Sequence, residues 1–335
     1  MLPFSERLTA AIRRCATPAM VGLDPRVEFL PESLQPGPQA SPEQIAEAYA
    51  TFCCAVIDVV AELVPAVKPQ VAFFEEQGPA GMAALWKVID YARKKNLLVI
   101  IDGKRGDIGS TSEAYARGYL GMRFDERPEW VKPREGDSDV LDLTGVYSAW
   151  GGDAVTVNPY LGEDSLQPFV ATAVERHSGV FVLVRTSNPG ARLFQDLVAD
   201  GKPLYRHVAE YVEYLAKTTA IHNPAPVINY GAVGAVVGAT YPEELAQLRD
   251  VIPHAWLLVP GYGAQGARAR EVAVAFDDRG LGAIINNSRA IIFAHMLPQY
   301  SQRFGPSRWQ EAVEAATREM IDELRAETPA GRLVT

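Results

Sequence analysis

The apolar run Leu97-Leu98-Val99-Ile100-Ile101 is followed directly by the charged stretch Asp102-Gly103-Lys104-Arg105-Gly106-Asp107. The apolar run predicts a buried strand, and the charged stretch predicts where that strand ends. Asp102 and Lys104 are two residues apart, so on a strand their side chains point to the same face. Charges at the mouth of a buried strand are costly unless they are paired. The cluster is therefore a candidate functional site.

Seven further apolar segments share the character of this run, and most of them are continuous rather than alternating. They are Ala19–Leu23, Val64–Val71, Ala154–Val157, Val180–Val184, Gly234–Val237, Trp256–Val259 and Ala283–Ile285. Continuous apolar strands are typical of a parallel sheet that is buried on both faces. Helical patterns lie between the segments, and two begin with apparent capping boxes, at Ser41-Pro42-Glu43-Gln44 and Thr240-Tyr241-Pro242-Glu243.

Eight alternations of strand and helix predict an α/β fold of the (β/α)8 TIM barrel type. The alternative is an open doubly wound sheet, which would favour a glycine-rich phosphate loop after its first strand. The first strand here ends in Gly22-Leu23-Asp24-Pro25, which is not such a loop.

The length of 335 residues suits one large barrel or two ordinary domains. We predict a single barrel domain over residues 1–335, with an insertion after the third strand at about 122–150. This segment is rich in charge and proline, has no clear period, and is too long for an ordinary connection. An active-site lid, a subunit contact and a partly mobile insertion remain open as interpretations.

The charge balance and the cysteines exclude several classes of protein. The 32 Lys and Arg against 41 Asp and Glu give a net charge of −9, which disfavours nucleic acid and anionic membranes as partners. We find no apolar run near the roughly 20 residues that span a bilayer, and no secretory signal. Three cysteines form no disulfide framework, and no Cys/His spacing indicates a metal site. We therefore expect a cytoplasmic protein without a metal.

Polar residues at the carboxyl ends of barrel strands converge on one site. Lys68, inside the second predicted strand, is unusual because buried lysines are normally paired. Alone, it is equally well read as a structural ion pair. Together with Asp102, Lys104 and Asp107 it predicts an array of alternating charges in which each charge has an opposite neighbour.

The last two loops have the composition of a phosphate site. Gly261 and Gly263 would let the backbone approach an anion, and Gln265 offers amide donors. Arg289 supplies a guanidinium suited to phosphate. A glycine-rich turn beside a surface arginine is the alternative for these residues alone.

On these motifs the chain resembles the family of orotidine 5′-phosphate decarboxylases, in its longer bacterial form (type 2). Asp102-Gly103-Lys104-Arg105-Gly106-Asp107-Ile108 is similar to the family's Asp-x-Lys-x-x-Asp-Ile signature, and Lys68 precedes it by one strand. The resemblance implies decarboxylation of orotidine 5′-phosphate to UMP and CO2, the final step of de novo pyrimidine synthesis. It also implies that no cofactor is needed.

The resemblance implies a role for each matching residue. Lys104 is similar to the proton donor to C6 of the pyrimidine, Asp102 to the carboxylate beside the departing CO2, and Lys68 to the lysine that links the charges to the ribose. The substrate-binding residues implied are Asp24 (ribose hydroxyl), Ser187 (pyrimidine amide), and Gln265 and Arg289 (phosphate). Asp107 and Thr111 resemble the pair that reaches into the partner's site, which implies a homodimer.

Two departures from the family and two other functions remain. The 122–150 insertion has no counterpart in short family members, and the Pro-Gly-Tyr-Gly loop differs from theirs, which leaves a phosphate contact by Tyr262 open. A Mg²⁺-dependent sugar-phosphate decarboxylase, aldolase or epimerase on a related barrel is the enzymatic alternative. A barrel that binds nucleotides without turnover is the non-catalytic one. Lys68, in place of a metal-binding carboxylate, and Ile108 favour the metal-free enzyme.

Overall fold

The computed structural model describes residues 2–123, 147–220, 229–263 and 266–334. Within them, eight parallel strands close into a barrel in the order β1-β8-β7-β6-β5-β4-β3-β2, so that each strand pairs with its neighbours in the chain. The strands are β1 Ala19–Leu23, β2 Ala66–Pro69, β3 Leu98–Arg105, β4 Ala154–Val157, β5 Gly179–Arg185, β6 Val233–Val237, β7 Leu257–Val259 and β8 Ala283–Asn287. The predicted (β/α)8 barrel is confirmed, and the open doubly wound sheet is wrong.

Helices follow the strands and surround the barrel. The α-helices are α1 Phe4–Cys15, α2 Pro42–Val60, α3 Val71–Glu75, α4 Gly78–Lys94, α5 Gly109–Tyr119, α6 Glu163–Glu175, α7 Arg192–Gln195, α8 Leu204–Thr219, α9 Pro242–Val251, α10 Ala269–Val272, α11 Arg289–Ile292, α12 Pro298–Phe304 and α13 Trp309–Glu327. Short 3₁₀ turns occupy Val27–Phe29, Glu32–Leu34, Pro189–Ala191, Ala273–Ala275, Ala294–Met296, Pro306–Arg308 and Pro329–Val334. None of the helices in the described ranges is both long and apolar enough to cross a membrane.

The two predicted helix starts differ in how they are capped. Ser41 forms the expected capping box with Gln44, each side chain bonding the other residue's backbone N–H. Helix α9 has no side-chain cap, so the capping box predicted at Thr240 is wrong. Pro242 at the first helical position is what favours a helix there, because its fixed φ suits that position and its missing N–H would have no partner anyway.

The core has two layers, one on each face of the barrel wall. Met20, Ile100, Phe181 and other interior side chains pack inside the barrel. Helix α1 closes the amino-terminal end of this interior, where Phe4 meets Phe181 edge to face at 5.9 Å. The alternate residues of the strands pack outward against the helices. The cavities that hold the charged strand-end residues therefore open at the carboxyl ends of the strands.

The third strand and the segment after it were predicted only in part. Strand β3 runs on to Arg105 rather than ending at Ile101, because its pairing with β4 resumes at Arg105–Val157 after a register shift. The ends of the predicted insertion, Met122–Arg123 and Tyr147–Ser148, pair as two short parallel strands. Residues 124–146 lie outside the described residues, so the three interpretations of the insertion stay open.

Candidate active site

Three of the predicted charged residues meet at the carboxyl ends of β2 and β3. Asp102 lies between two ammonium groups: Lys68 Nζ is 2.6 Å from its Oδ2, and Lys104 Nζ is 2.6 Å from its Oδ1. The hydroxyl of Thr156 donates to Oδ1 at 3.0 Å, and the amide of Gln70 donates to Oδ2 at 3.0 Å. Asp102 thus receives four hydrogen bonds, two of them from cations.

This Lys68–Asp102–Lys104 array is buried at one end and open at the other. Lys68 is 4% exposed and Asp102 7%, whereas the side chain of Lys104 is 47% exposed. Burial opposes the charge on Asp102, but the two lysines outweigh it and hold the pKa of the carboxyl far below its usual range. Burial likewise opposes the charge on Lys68, yet Asp102 and Asp24 raise the pKa of this ammonium. Both groups therefore stay charged at neutral pH.

The backbone of Lys104 is in an uncommon conformation. Its φ is +46°, in the left-handed region, which costs a residue with a side chain about 1–2 kcal/mol. The residue lies in the stretch where the register of β3 against β4 shifts. Such strain often marks functional sites, where the surrounding structure holds a side chain in a required place.

Asp24, at the end of β1, is the second carboxylate near the lysines. One of its oxygens, Oδ1, is buried without a hydrogen-bond partner. Burial raises the pKa of the Asp24 carboxyl, and Asp102 adds to the rise, while Lys68 opposes it. A half-buried acid with an unpartnered oxygen is suited to accept a hydrogen bond from a ligand hydroxyl.

Asp107 and Thr111 do not join the site of their own chain. The Asp107 carboxylate accepts the Ile108 N–H at 2.8 Å and forms no ion pair with any residue that the structure describes. Thr111 is exposed on the first turn of α5. The four-charge array predicted from the residues alone is therefore wrong within one chain, since Asp24 rather than Asp107 is the second acid close to Lys68.

A cleft of about 1080 Å³ opens over the array. Its polar lining includes Lys104, Asn158 and Ser187, and its apolar lining includes Leu183 and Phe194. The loop after β5, residues 186–188, which we call the Ser187 loop, packs closely against Gly238. Any side chain at position 238 would prevent this, because its Cβ would lie 2.8 Å from Ser187 Cβ. The structure thus brings Ser187 to the same cleft as the array, as the sequence predicted.

A smaller recess of about 170 Å³ adjoins the cleft and shares Lys68, Asp102 and Pro260 with it. We call it the Arg289 recess, and its outer wall is formed by Gly261, Tyr262 and residues 286–289. Arg289 is exposed and forms no ion pair within the described ranges, so its guanidinium is available to an anion. Gln265 lies outside the described residues, so its predicted phosphate contact is not located.

Tyr262 is committed elsewhere. Its ring is buried and its hydroxyl donates to Glu323 on α13. Burial, reinforced by Glu323, raises the pKa of this phenol. A hydroxyl bonded to the outer helix is not free to bind a ligand, so the structure supports a packing role for Tyr262.

Several residues that shape the site were not predicted. Gln70 carried a signal, because it lies two residues beyond Lys68 and so shares its face of the strand. Thr156 carried one too, as the polar residue in an otherwise apolar strand. Arg185 is 1% exposed; it pairs with Glu244 and Asp196 and holds the start of the Ser187 loop.

Known proteins are similar to this chain over nearly its whole length. A model of the orotidine 5′-phosphate decarboxylase / HUMPS family matches residues 20–131 and 143–301. The chain belongs to this family. It is 49% identical over 326 residues to the orotidine 5′-phosphate decarboxylase of Rhodopirellula baltica, covering 97% of this chain and 100% of the relative. It is 36% identical to that of Caldicellulosiruptor bescii, covering 88% and 91%.

A solved structure is similar as well. The OMP decarboxylase of Leishmania donovani superimposes with a TM-score of 0.66 at 30% sequence identity, covering 97% of this chain and 98% of that one. Membership in the orotidine 5′-phosphate decarboxylase / HUMPS family therefore extends over the whole barrel, including the β2 and β3 ends that carry the array.

Proposed function

We propose that this chain decarboxylates orotidine 5′-phosphate to UMP and CO2. The observation that carries the proposal is the Lys68–Asp102–Lys104 array at the open end of the barrel. Family membership supports the same activity, since the relatives compared are named orotidine 5′-phosphate decarboxylases. These names do not favour the Mg²⁺-dependent sugar-phosphate enzymes, and activity that survives EDTA would separate the two functions.

The chemistry follows from the placement of charge. The bond from C6 to the carboxylate breaks, its electron pair stays on C6, and CO2 leaves. A fixed ammonium beside C6 stabilises the developing carbanion electrostatically, and Lys104 then gives C6 a proton. Asp102, kept ionised by four donors, repels the substrate carboxylate and favours its departure as CO2. Lys68 holds Asp102 in place and extends toward Asp24.

Substrate binding is assigned to the rest of the two cavities. Asp24 accepts a ribose hydroxyl, Ser187 contacts the pyrimidine amide, and Arg289 binds the phosphate. The family resemblance adds Gln265, outside the described residues, as a second phosphate ligand. Binding energy from the phosphate, remote from C6, can be used to orient the base.

The direct test follows the decay of orotidine 5′-phosphate absorbance on adding the protein. Arg289→Ala should raise KM for orotidine 5′-phosphate strongly, by about 100-fold for a lost charge-assisted contact, and leave turnover of the phosphate-free nucleoside orotidine unchanged. Arg318→Ala, which removes an exposed arginine of α13 that pairs with Glu314, is the control. Equal losses on both substrates would contradict a phosphate role.

We also propose a homodimer in which Asp107 and Thr111 complete the partner's site. Their position outside the clefts of their own chain supports this. Lys104→Ala and Asp107→Ala should each be inactive alone, and mixing them should restore up to about a quarter of the sites, as random pairing of two chains predicts. No recovery, with subunit exchange shown by mass spectrometry, would rule out the shared site.

Two further expectations complete the proposal. We propose that residues 1–335 form one domain, because the described segments on both sides of 124–146 belong to the same barrel. Urea unfolding should then show one cooperative transition, and two separate transitions would contradict it. We propose the cytoplasm as its location. The three free cysteines suit a reducing compartment, and cell fractionation tests it.

A further inference from the structure

Thr156 carries a buried hydroxyl in the middle of the barrel wall. It lies on β4 between Val155 and Val157 and is 1% exposed. A hydroxyl in such a place is unfavourable unless it is hydrogen-bonded on both sides. Its O–H donates to Asp102 Oδ1 at 3.0 Å, and its oxygen accepts the backbone N–H of Lys104 at 2.9 Å. One hydroxyl therefore contacts both residues on which the chemistry depends.

The hydrogen bond from the Lys104 N–H to Thr156 takes the place of a backbone hydrogen bond between β3 and β4. Between Ile101 and Arg105 the register of β3 against β4 shifts, and the Lys104 N–H turns to the Thr156 side chain. The left-handed φ of Lys104 is disfavoured for a lysine, so the conformation needs support from its neighbours. Thr156 gives that support from the adjacent strand.

The direction of the two bonds also matters. Thr156 has a single hydroxyl proton, and that proton points to Asp102 because the Lys104 N–H occupies the other side as a donor. Two hydrogen bonds in series, from the Lys104 N–H to Thr156 Oγ1 and from the Thr156 O–H to Asp102 Oδ1, thus link the Lys104 backbone to Asp102. The Lys104 side chain contacts the same carboxylate. Loss of the hydroxyl would release both ends at once.

We propose that Thr156 is a positioning residue that holds the Lys104 backbone and the Asp102 carboxylate in their reactive arrangement. This role rests on the proposed function. Since Thr156 contacts Lys104 and Asp102, its loss should affect the chemical step rather than substrate binding. Small displacements of reacting groups cost up to about 100-fold in rate. The cleft itself, and the groups that bind phosphate and ribose, are left intact.

The test compares Thr156→Val, which keeps the shape but removes the hydroxyl, with Thr156→Ser, which keeps the hydroxyl. Thr156→Val should lower kcat by about 10- to 100-fold and change KM less than about twofold. Thr156→Ser should have a kcat within about threefold of the wild-type value. Thr317→Val is the control. Thr317 is as buried as Thr156, but its hydroxyl donates to the carbonyl of Val313 within α13, so the kcat of this variant should be unchanged.

The outcomes separate the two proposals. Wild-type protein that does not consume orotidine 5′-phosphate overturns the proposed function and this role with it. Active wild type with an unchanged kcat in Thr156→Val, or a loss confined to KM, overturns the role of Thr156 alone. If Thr156→Val does not fold, Thr156→Ala replaces it. If neither folds, amide exchange of Lys104 in the wild type decides: slow exchange supports the bond, and exchange at the rate of an open loop overturns it.

Discussion

Replacement of Lys68 by methionine should lower the stability of the fold, whereas the same replacement of Lys104 should leave stability nearly unchanged and abolish most of the activity. Lys68 and Lys104 approach Asp102 at the same distance, 2.6 Å. They differ in burial, since the Lys68 side chain is 5% exposed and the Lys104 side chain 47%. Methionine keeps most of the apolar stem of either lysine and removes the ammonium group, with its charge and its hydrogen bond to Asp102.

The magnitudes follow from that difference. Removing one partner of a buried ion pair costs about 3–5 kcal/mol, because the other charge stays buried. Asp102 keeps three donors in Lys68→Met, so we expect the lower end, about 3 kcal/mol of the free energy of unfolding. A half-exposed pair is screened by water and contributes about 0–1 kcal/mol, so Lys104→Met should be nearly as stable as the wild type. Its kcat should fall by about 10⁴-fold, the upper end for loss of a proton-transfer group.

Urea unfolding followed by circular dichroism measures the first quantity, and the decay of orotidine 5′-phosphate absorbance measures the second. Protein concentrations must be equal, because the stability of an associating protein depends on concentration. Lys87→Met, which breaks a pair with Glu47 on the outer surface, is the control and should change neither. A loss below 1 kcal/mol in Lys68→Met, or equal losses in both array variants, would refute the reasoning from burial.

Two further substitutions probe the edges of the site. Asp24→Asn should stabilise the ligand-free protein and raise KM. Burial raises the pKa of the Asp24 carboxyl in the folded state. Ionisation of Asp24 therefore costs the folded state no stability below the unfolded pKa of about 3.9, and it costs an increasing amount as the pH rises through the folded pKa. The gain in melting temperature should therefore be largest at pH 8 and shrink toward pH 4; an Asn variant less stable than wild type at pH 8 would contradict this. Gly22→Ala should cost about 1–3 kcal/mol of stability through overpacking and raise KM, because its Cβ would lie 1.9 Å from Ser288 Oγ, beside Arg289. Gly37→Ala, with nothing within 4 Å, is the control, and equal behaviour of the two in unfolding and kinetics would count against the steric explanation.

The barrel could be predicted because its strands are chemically simple. A strand such as β1, Ala19–Leu23, is buried on both faces, so its sequence is a continuous apolar run with exact bounds. Strand β3 was predicted four residues too short, since charged residues normally end a buried strand. Here the charges of Asp102 and Lys104 are neutralised by each other and by Lys68, and the strand continues.

Without the family resemblance, the charged centre of the site could be predicted where a residue is unusual by itself. A lysine or an aspartate in an apolar strand is conspicuous, and Lys68 and Asp102 were found in that way. The role of Arg185 was not predicted, because its ion-pair partner Glu244 lies 59 residues further along the chain and no local pattern joins the two residues. The pairing of distant charges is decided by the closed order of the strands, which a single sequence does not display residue by residue.

Asp107 shows why the second carboxylate was harder to place than the first. Spacing along the chain puts it five residues after Asp102, close enough to suggest one array. The left-handed turn at Lys104 and the start of α5 at Gly109 take it away from the lysines, and the carboxylate accepts the next N–H instead. The proposed dimer would give this acid, which lies outside the cleft of its own chain, a use in catalysis by bringing the cleft of another chain to it. The mixing of Lys104→Ala with Asp107→Ala is the experiment on which this proposed shared site depends.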